Sequence, residues 1–226
     1  RRVIENQTVI IEDNKIKTIG NVDNVLIPDN AYVIECKGKY LIPGLTDMHS
    51  HLINENELIL YIANGITTIR NMWGYKLFGR HLHLEIKDKV EKGLLLGPRI
   101  YTSGNFFDGK HPIWPLANKI TSLEDAENAV SKEKENGYDF IKIYSLLEKE
   151  NYDNVLSIAQ KYNIPAIGHI PSKVSIDHIL SQTQHTIEHL QGYIDMFGRQ
   201  NCSISTNNYE DYAKKTASKK IYNCPT

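Results

Sequence analysis

The stretch Asp47-Met48-His49-Ser50-His51, which closes the apolar run Tyr40-Leu41-Ile42-Pro43-Gly44-Leu45-Thr46, carries the densest set of chemically capable residues in the chain. Side chains alternate faces along a strand, so Asp47, His49 and His51 project the same way. Two imidazoles on one face of a strand end can bind a metal ion, and a nearby carboxylate suits the same site. A half-buried strand with incidental histidines explains a lone His-x-His equally well. A second pair, His81 and His83, lies in His81-Leu82-His83-Leu84-Glu85-Ile86-Lys87, which reads as helix. Helical residues two apart point about 200° apart, so this pair is poorly placed to share a metal and is expected on the surface.

Three further candidates sit at the ends of later apolar runs: Lys142 in Asp139-Phe140-Ile141-Lys142-Ile143-Tyr144, His169 after Gly168, and His189 after Glu188. In βα barrels the active site lies at the C-terminal ends of the strands. A single buried histidine there is usually structural, whereas four strands delivering metal-capable groups to one sheet edge favour a site. A strand lysine ordinarily marks an edge or a snorkelling side chain. Buried beside metals, its amine would have a lowered pKa and could add carbon dioxide, giving a carbamate whose two oxygens bridge two cations. The run His185-Thr186-Ile187-Glu188-His189 also fits the HxxEH pattern of inverted zinc peptidases. That chemistry needs a helix, and the β-branched Thr186-Ile187 favours a strand. No nucleophile elbow, phosphate loop or Cys-His pair in motif spacing is present.

The elements that must position these residues alternate along the chain. Up to about residue 40, strand-like runs (Thr8 to Glu12, Lys15 to Ile19, Ala31 to Cys36) separated by turn residues predict a small antiparallel layer. From Gly44 onward, strands are expected at Leu45 to His49, Thr67 to Asn71, Arg99 to Ser103, Phe140 to Tyr144, Ala166 to His169 and Thr186 to His189, with another starting at Ile221. Helices are expected at Asn56 to Ala63, after a Thr121/Glu124 capping box, and at Glu148 to Tyr162, Val174 to Ser181 and Tyr209 to Lys220. Repeated βα units mean a parallel sheet, doubly wound or closed into a barrel. The domain reading is residues 1–43 and 44–226. The connection from Gly104 to Ile120, with Phe106, Phe107, His111 and Trp114, is long enough to be a lid.

Bulk properties narrow the function. The 226 residues can bury a sizeable core, and 41% hydrophobic with 23% charged residues is ordinary for a globular protein. A net charge of −1 without a basic block gives no support for a nucleic-acid partner. Three cysteines without CxxC spacing fit a reducing compartment, so the expected location is cytoplasmic. The apolar run Leu58 to Ala63 is far too short to span a bilayer.

Taken together, Asp47 to His51 behind Leu41-Ile42-Pro43-Gly44, then Gly65-Ile66-Thr67-Thr68-Ile69-Arg70, Gly97-Pro98-Arg99, Lys142, Gly168-His169 and Ile187-Glu188-His189-Leu190, resemble the amidohydrolase superfamily. The nearest branch resembles the imidazolonepropionase-like and prolidase-like hydrolases. The resemblance implies a (β/α)8 TIM-type barrel, here incomplete, with a small β-sandwich portion at the N-terminus. It implies two divalent ions, commonly zinc: His49 and His51 on one, His169 and His189 on the other, and carboxylated Lys142 bridging. It further implies hydrolysis of amide or cyclic-amide C–N bonds in a small molecule or short peptide. The family's general-base Asp after the eighth strand is expected beyond Thr226, so the sequence reads as a fragment truncated at both ends. Asn71 stands where relatives often carry Asp. Tyr144, His111 and Tyr193 are candidate substrate contacts. A non-catalytic barrel fragment serving as a binding module is the competing reading, and a homo-oligomer is left open.

Overall fold

A computed structural model describes residues 3–193 and 206–226, with side chains from residue 209 in the second stretch. The chain divides into two compact units, Arg1–Pro43 and Gly44–Thr226. In the first, β1 (Gln7–Glu12) and β2 (Lys15–Asn21) pair antiparallel. Their connecting residues Asp13 and Asn14 take φ of 49° and 63°, the left-handed pair that a tight hairpin turn requires and that Asp and Asn tolerate. The strand expected at Ala31 to Cys36 does not form. The segment finds no ladder partner among the described residues, and Tyr32 is 91% exposed. An alternating pattern makes a strand only where another strand accepts its backbone hydrogen bonds.

The second unit begins with β3 (Leu45–Ser50), a 3-10 turn at Glu55–Glu57, α1 (Leu58–Ala63) and β4 (Ile66–Asn71). A short hairpin, β5 (Lys76–Leu77) and β6 (Arg80–His81), leads into α2 (Leu82–Glu91) and β7 (Arg99–Thr102). Two short strands, β8 (Phe107–Asp108) and β9 (Asn118–Lys119), precede α3 (Leu123–Asn136), β10 (Ile141–Ile143) and α4 (Lys149–Lys161). The chain continues through β11 (Ala166–Gly168), α5 (Ile176–Leu180), β12 (Thr186–Glu188), α6 (Thr206–Ser218) and β13 (Tyr222–Cys224).

Strands β3, β4 and β7 pair parallel, a parallel bridge from Ser103 to Phe140 leads on to β10, and β10 to β13 continue parallel. Neighbours follow sequence order from β3 through β4 to β7 and from β10 to β13, while β8 and then β9 extend the sheet from the other side of β10. A doubly wound sheet has a switch point where strand order reverses, whereas a βα barrel adds strands in one direction. Among the described residues, β3, β4, β7 and β10 to β13 add in one direction.

The helices cover the sheet with the faces their spacing provides. In α4 the buried Tyr152, Val155, Leu156 and Ala159 form an i, i+3, i+4, i+7 stripe. They pack with Ile141 and Ile143 of β10, Ala166 of β11 and Ile187 of β12 in the main core. Each such aliphatic side chain contributes about 1.5–3 kcal/mol on burial. At the start of α3 the cap is Ser122, whose Oγ accepts from the Asp125 N–H, while Thr121 bonds the Asp125 carboxylate. The capping box anticipated one residue earlier is thus displaced by one.

His81 and His83 correct another expectation. His83 is fully buried and its Nε2 donates to the Leu52 carbonyl at 2.6 Å, while His81 Nδ1 shares a hydrogen bond with the Tyr138 hydroxyl at 2.8 Å. Helix α2 buries His83 and Ile86, an i, i+3 pair, so its inner face carries a histidine. The 104–120 segment is ordered by β8, which joins β10 at Phe107, and by the buried Asp108. Asp108 accepts from the N–H groups of Leu146 at 2.6 Å and Ile113 at 3.1 Å. Among the described residues no helix is long and apolar enough to cross a membrane.

Candidate metal centre

Strands β3, β4, β10, β11, β12 and β13 bring His49, Arg70, Lys142, His169, Glu188, His189 and Cys224 to one end of the sheet. His51 follows β3, and His169 and His189 lie one residue past β11 and β12. The His49 ring lies 5.2 Å from that of His51 and 4.5 Å from that of His189, and His189 lies 5.0 Å from His169. The histidines singled out from sequence therefore form one continuous cluster. Backbone geometry helps to aim it. Gly168 takes φ of 132°, and a Cβ there would lie 2.2 Å from the Ile143 carbonyl oxygen. Only glycine lets β11 approach β10 this closely just before His169.

Lys142 is 1% exposed, and its Nζ has no hydrogen-bond partner among the described residues. Desolvation pulls its amine down to about 7, with Arg70 acting the same way and Glu188 and Cys224 opposing. A buried charge without a partner is costly, so the neutral amine is favoured. The imidazoles follow the same physics. Burial, then the neighbouring His49, Lys142 and His189, lowers His51 to about 4. Burial is also the leading cause of the lowered values of His169 and His189. Neutral imidazole is the form that ligates a metal. An orphaned buried amine among neutral imidazoles is a donor set that fits divalent cations.

The strongest interactions at this edge involve a residue whose part in the cluster the sequence reading did not anticipate. Glu188 is fully buried. Its Oε2 accepts from His49 Nδ1 at 2.7 Å, and its Oε1 accepts from Arg70 Nη2 at 2.7 Å and from Thr186 Oγ1 at 2.6 Å. Burial alone would raise this carboxyl, but the His49 hydrogen bond, the Arg70 charge and the Thr186 hydroxyl outweigh it and hold it well below the ordinary range. Arg70 Nε also donates to the Met48 carbonyl at 2.6 Å. Among the described residues, the one group of three or more His, Cys, Asp or Glu ligand atoms within 4.8 Å of one another is His49, Glu188 and Cys224. Burial, then Glu188, raises the Cys224 thiol. Strand alternation was the available signal, since Thr186 and Glu188 share a face of β12.

The remaining candidates are distributed differently. The Tyr144 ring lies 4.3 Å from His169, whose Nδ1 shares a 2.9 Å hydrogen bond with Ser145 Oγ. His111 is exposed on the 104–120 segment. Tyr193 packs against the main core, and its hydroxyl shares a 2.6 Å hydrogen bond with Thr216. Asn71 accepts from the Leu52 N–H and donates to Thr102 Oγ1, both at 2.9 Å, tying three segments together. The HxxEH reading is overturned, because Thr186–Glu188 is a strand and residues four apart cannot share a helical face there.

No protein-family profile matches the chain. A segment of 53 residues, 23% of the chain, is 45% identical to the 5-methylthioadenosine/S-adenosylhomocysteine deaminase of Halothermothrix orenii. A segment of 65 residues, 26% of the chain, is 42% identical to the imidazolonepropionase of Vibrio cholerae. These segments cover 12% and 16% of the two relatives. The solved structure of a bottromycin amidohydrolase superposes on 97% of the chain with a TM-score of 0.73 and 22% identity, and the chain spans 47% of it. The chain is thus similar to amidohydrolase-type proteins, in short segments by sequence and over nearly its whole length by fold.

Proposed function

We propose that this chain carries the His and Lys portion of a two-metal centre in a hydrolase acting on amide or cyclic-amide C–N bonds. The carrying observation is Lys142, a fully desolvated amine without a hydrogen-bond partner among the described residues, close enough to act electrostatically on His51, His169 and His189. On this reading the neutral Nζ would add to carbon dioxide, one C=O π bond giving its electrons to oxygen as the C–N bond forms and one proton leaving to solvent, and Lys142 as the carbamate would then help to hold the ions. His49 and His51 would hold one ion and His169 and His189 the other, with zinc the expected metal. Such ions, when bound, would supply a water acidified from ~16 towards ~7 and a Lewis acid for the scissile carbonyl.

The chain's own groups hold this arrangement. Glu188 and Arg70 orient His49, Ser145 orients His169, and Tyr144 beside His169 is the proposed substrate contact. The proton released from water needs an acceptor. The family resemblance assigns it to an Asp after an eighth strand. The deaminase and amidohydrolase names of the relatives favour a small-molecule substrate. The same reading makes the sheet an arc of a (β/α)8 barrel and residues 1–43 part of a β-sandwich.

Metal analysis and carbon-13 NMR test this directly. Protein loaded with zinc and carbon-13 bicarbonate should retain the ion and show a carbamate carbonyl signal that Lys142→Met abolishes. Absence of any bound divalent ion after loading would overturn the proposal.

A further inference from the structure

The Glu188 carboxylate has a fixed division of labour. An ionised carboxylate only accepts hydrogen bonds, and a guanidinium only donates. Oε1 accepts from Arg70 Nη2 and Thr186 Oγ1, Oε2 accepts from His49 Nδ1, and the Cys224 thiol also bonds the carboxylate. His49 Nδ1 must therefore be the donor, which leaves the Nε2 lone pair as the only free coordinating atom of that ring. The pair also grips β3 at consecutive residues, through the Met48 carbonyl on Arg70 Nε and the His49 ring on Glu188.

We propose that Glu188, locked by Arg70, is a positioning residue that fixes the proton of His49 on Nδ1 and presents Nε2 to the metal. The inference rests on the metal-centre reading above. It explains why a carboxylate is required in place of its isosteric amide. Glutamine has one acceptor oxygen, so it can satisfy Arg70 or His49 but not both. If its amide nitrogen faces His49, the ring must carry its proton on Nε2, and the coordinating lone pair is lost. Outer hydrogen-bond partners of metal-binding histidines commonly carry a factor of 10–100 in metal affinity.

The test has two readouts. Long-range proton–nitrogen correlation of histidine-labelled, metal-free protein at mildly alkaline pH should show His49 protonated on Nδ1. In Glu188→Gln the Nε2-protonated form should become prominent, and Zn²⁺ affinity by chelator competition should fall roughly 10–100-fold. Adding Arg70→Gln to that variant frees the carbonyl of the introduced amide for His49 and should recover part of the affinity, which a merely structural role would not do. A wild-type His49 protonated on Nε2 overturns the inference, as does Zn²⁺ binding by Glu188→Gln equal to wild type. The wild-type tautomer needs no variant to fold. Wild-type protein that binds no Zn²⁺ overturns the metal reading instead, and the tautomer measurement still decides the role of Glu188.

Discussion

Trp114 Nε1 donates to the Tyr144 hydroxyl at 2.9 Å, which ties the exposed part of the 104–120 segment to the ring that lies 4.3 Å from His169. Trp73 and Phe106 pack alongside, with Trp73 5.6 Å from Trp114 and 5.2 Å from Phe106, and Phe106 4.7 Å from Tyr144. Through Tyr144 this aromatic group reaches His169 of the candidate centre.

Removing that tie should loosen the segment and leave the core alone. Trp114→Phe deletes the donor together with one ring of a side chain that is 41% exposed, so global stability should fall by only about 0.5–1.5 kcal/mol. Limited proteolysis should then cut within residues 104–120 faster than in wild type. The chain has two tryptophans, so the remaining Trp73 emission reports the same opening. Unchanged proteolysis and emission would show that the hydrogen bond does not hold the segment.

Glu133 gives a pH dependence remote from the centre. Its carboxyl is buried beside Gly104 and Asn118, and desolvation raises it from 4.5 to about 7 against hydrogen bonds that lower it. The folded state then binds more protons than the unfolded one between these values, so stability falls as pH rises from 4.5 towards 7. Glu133→Gln should flatten that slope and raise stability above pH ~7 by up to about 3 kcal/mol. Urea melts of both proteins across this range measure it, and parallel slopes would contradict it.

Lys142→Met isolates the cost of a functional group. Methionine fills similar space without a buried amine, so the metal-free variant should be at least as stable as wild type. It should also lose metal retention on the proposed reading. Thermal melts with and without zinc separate these effects, and a strongly destabilised metal-free variant would mean that Nζ has a partner.

Gly168→Ala should be among the harsher single-methyl changes. The added Cβ meets the Ile143 carbonyl oxygen at 2.2 Å with the backbone already at φ of 132°. A loss of about 3 kcal/mol or more is expected, because backbone must move. Denaturant midpoints check it, and a neutral result would mean that β10 and β11 can separate locally.

Much of the scaffold could be read from local pattern. Leu45, Arg99 and Ala166 each begin a strand where alternation and flanking breakers said one should. His49, Lys142, His169 and His189 could be placed near one edge because strand ends in a βα fold converge. Pairwise consequences were out of reach. Whether Ala31 to Cys36 finds a partner, whether His83 faces inward, and whether Glu188 meets Arg70 all depend on segments far away in sequence. The Glu188 case was further hidden by its neighbour His189, since Glu-His in a row invites a helical motif reading that the β-branched residues deny.

The hydrogen bond between His49 and Glu188 joins residues 139 positions apart. Closing so long a loop has an entropic cost that local contacts do not incur, and such contacts form late in folding. The ligand cluster is thus a product of the finished sheet and is absent from the unfolded chain. Any ion it holds should bind the native state alone, raising the unfolding midpoint with ion concentration and slowing unfolding. In this chain the chemistry and the completion of the fold are read by the same thermodynamic variable.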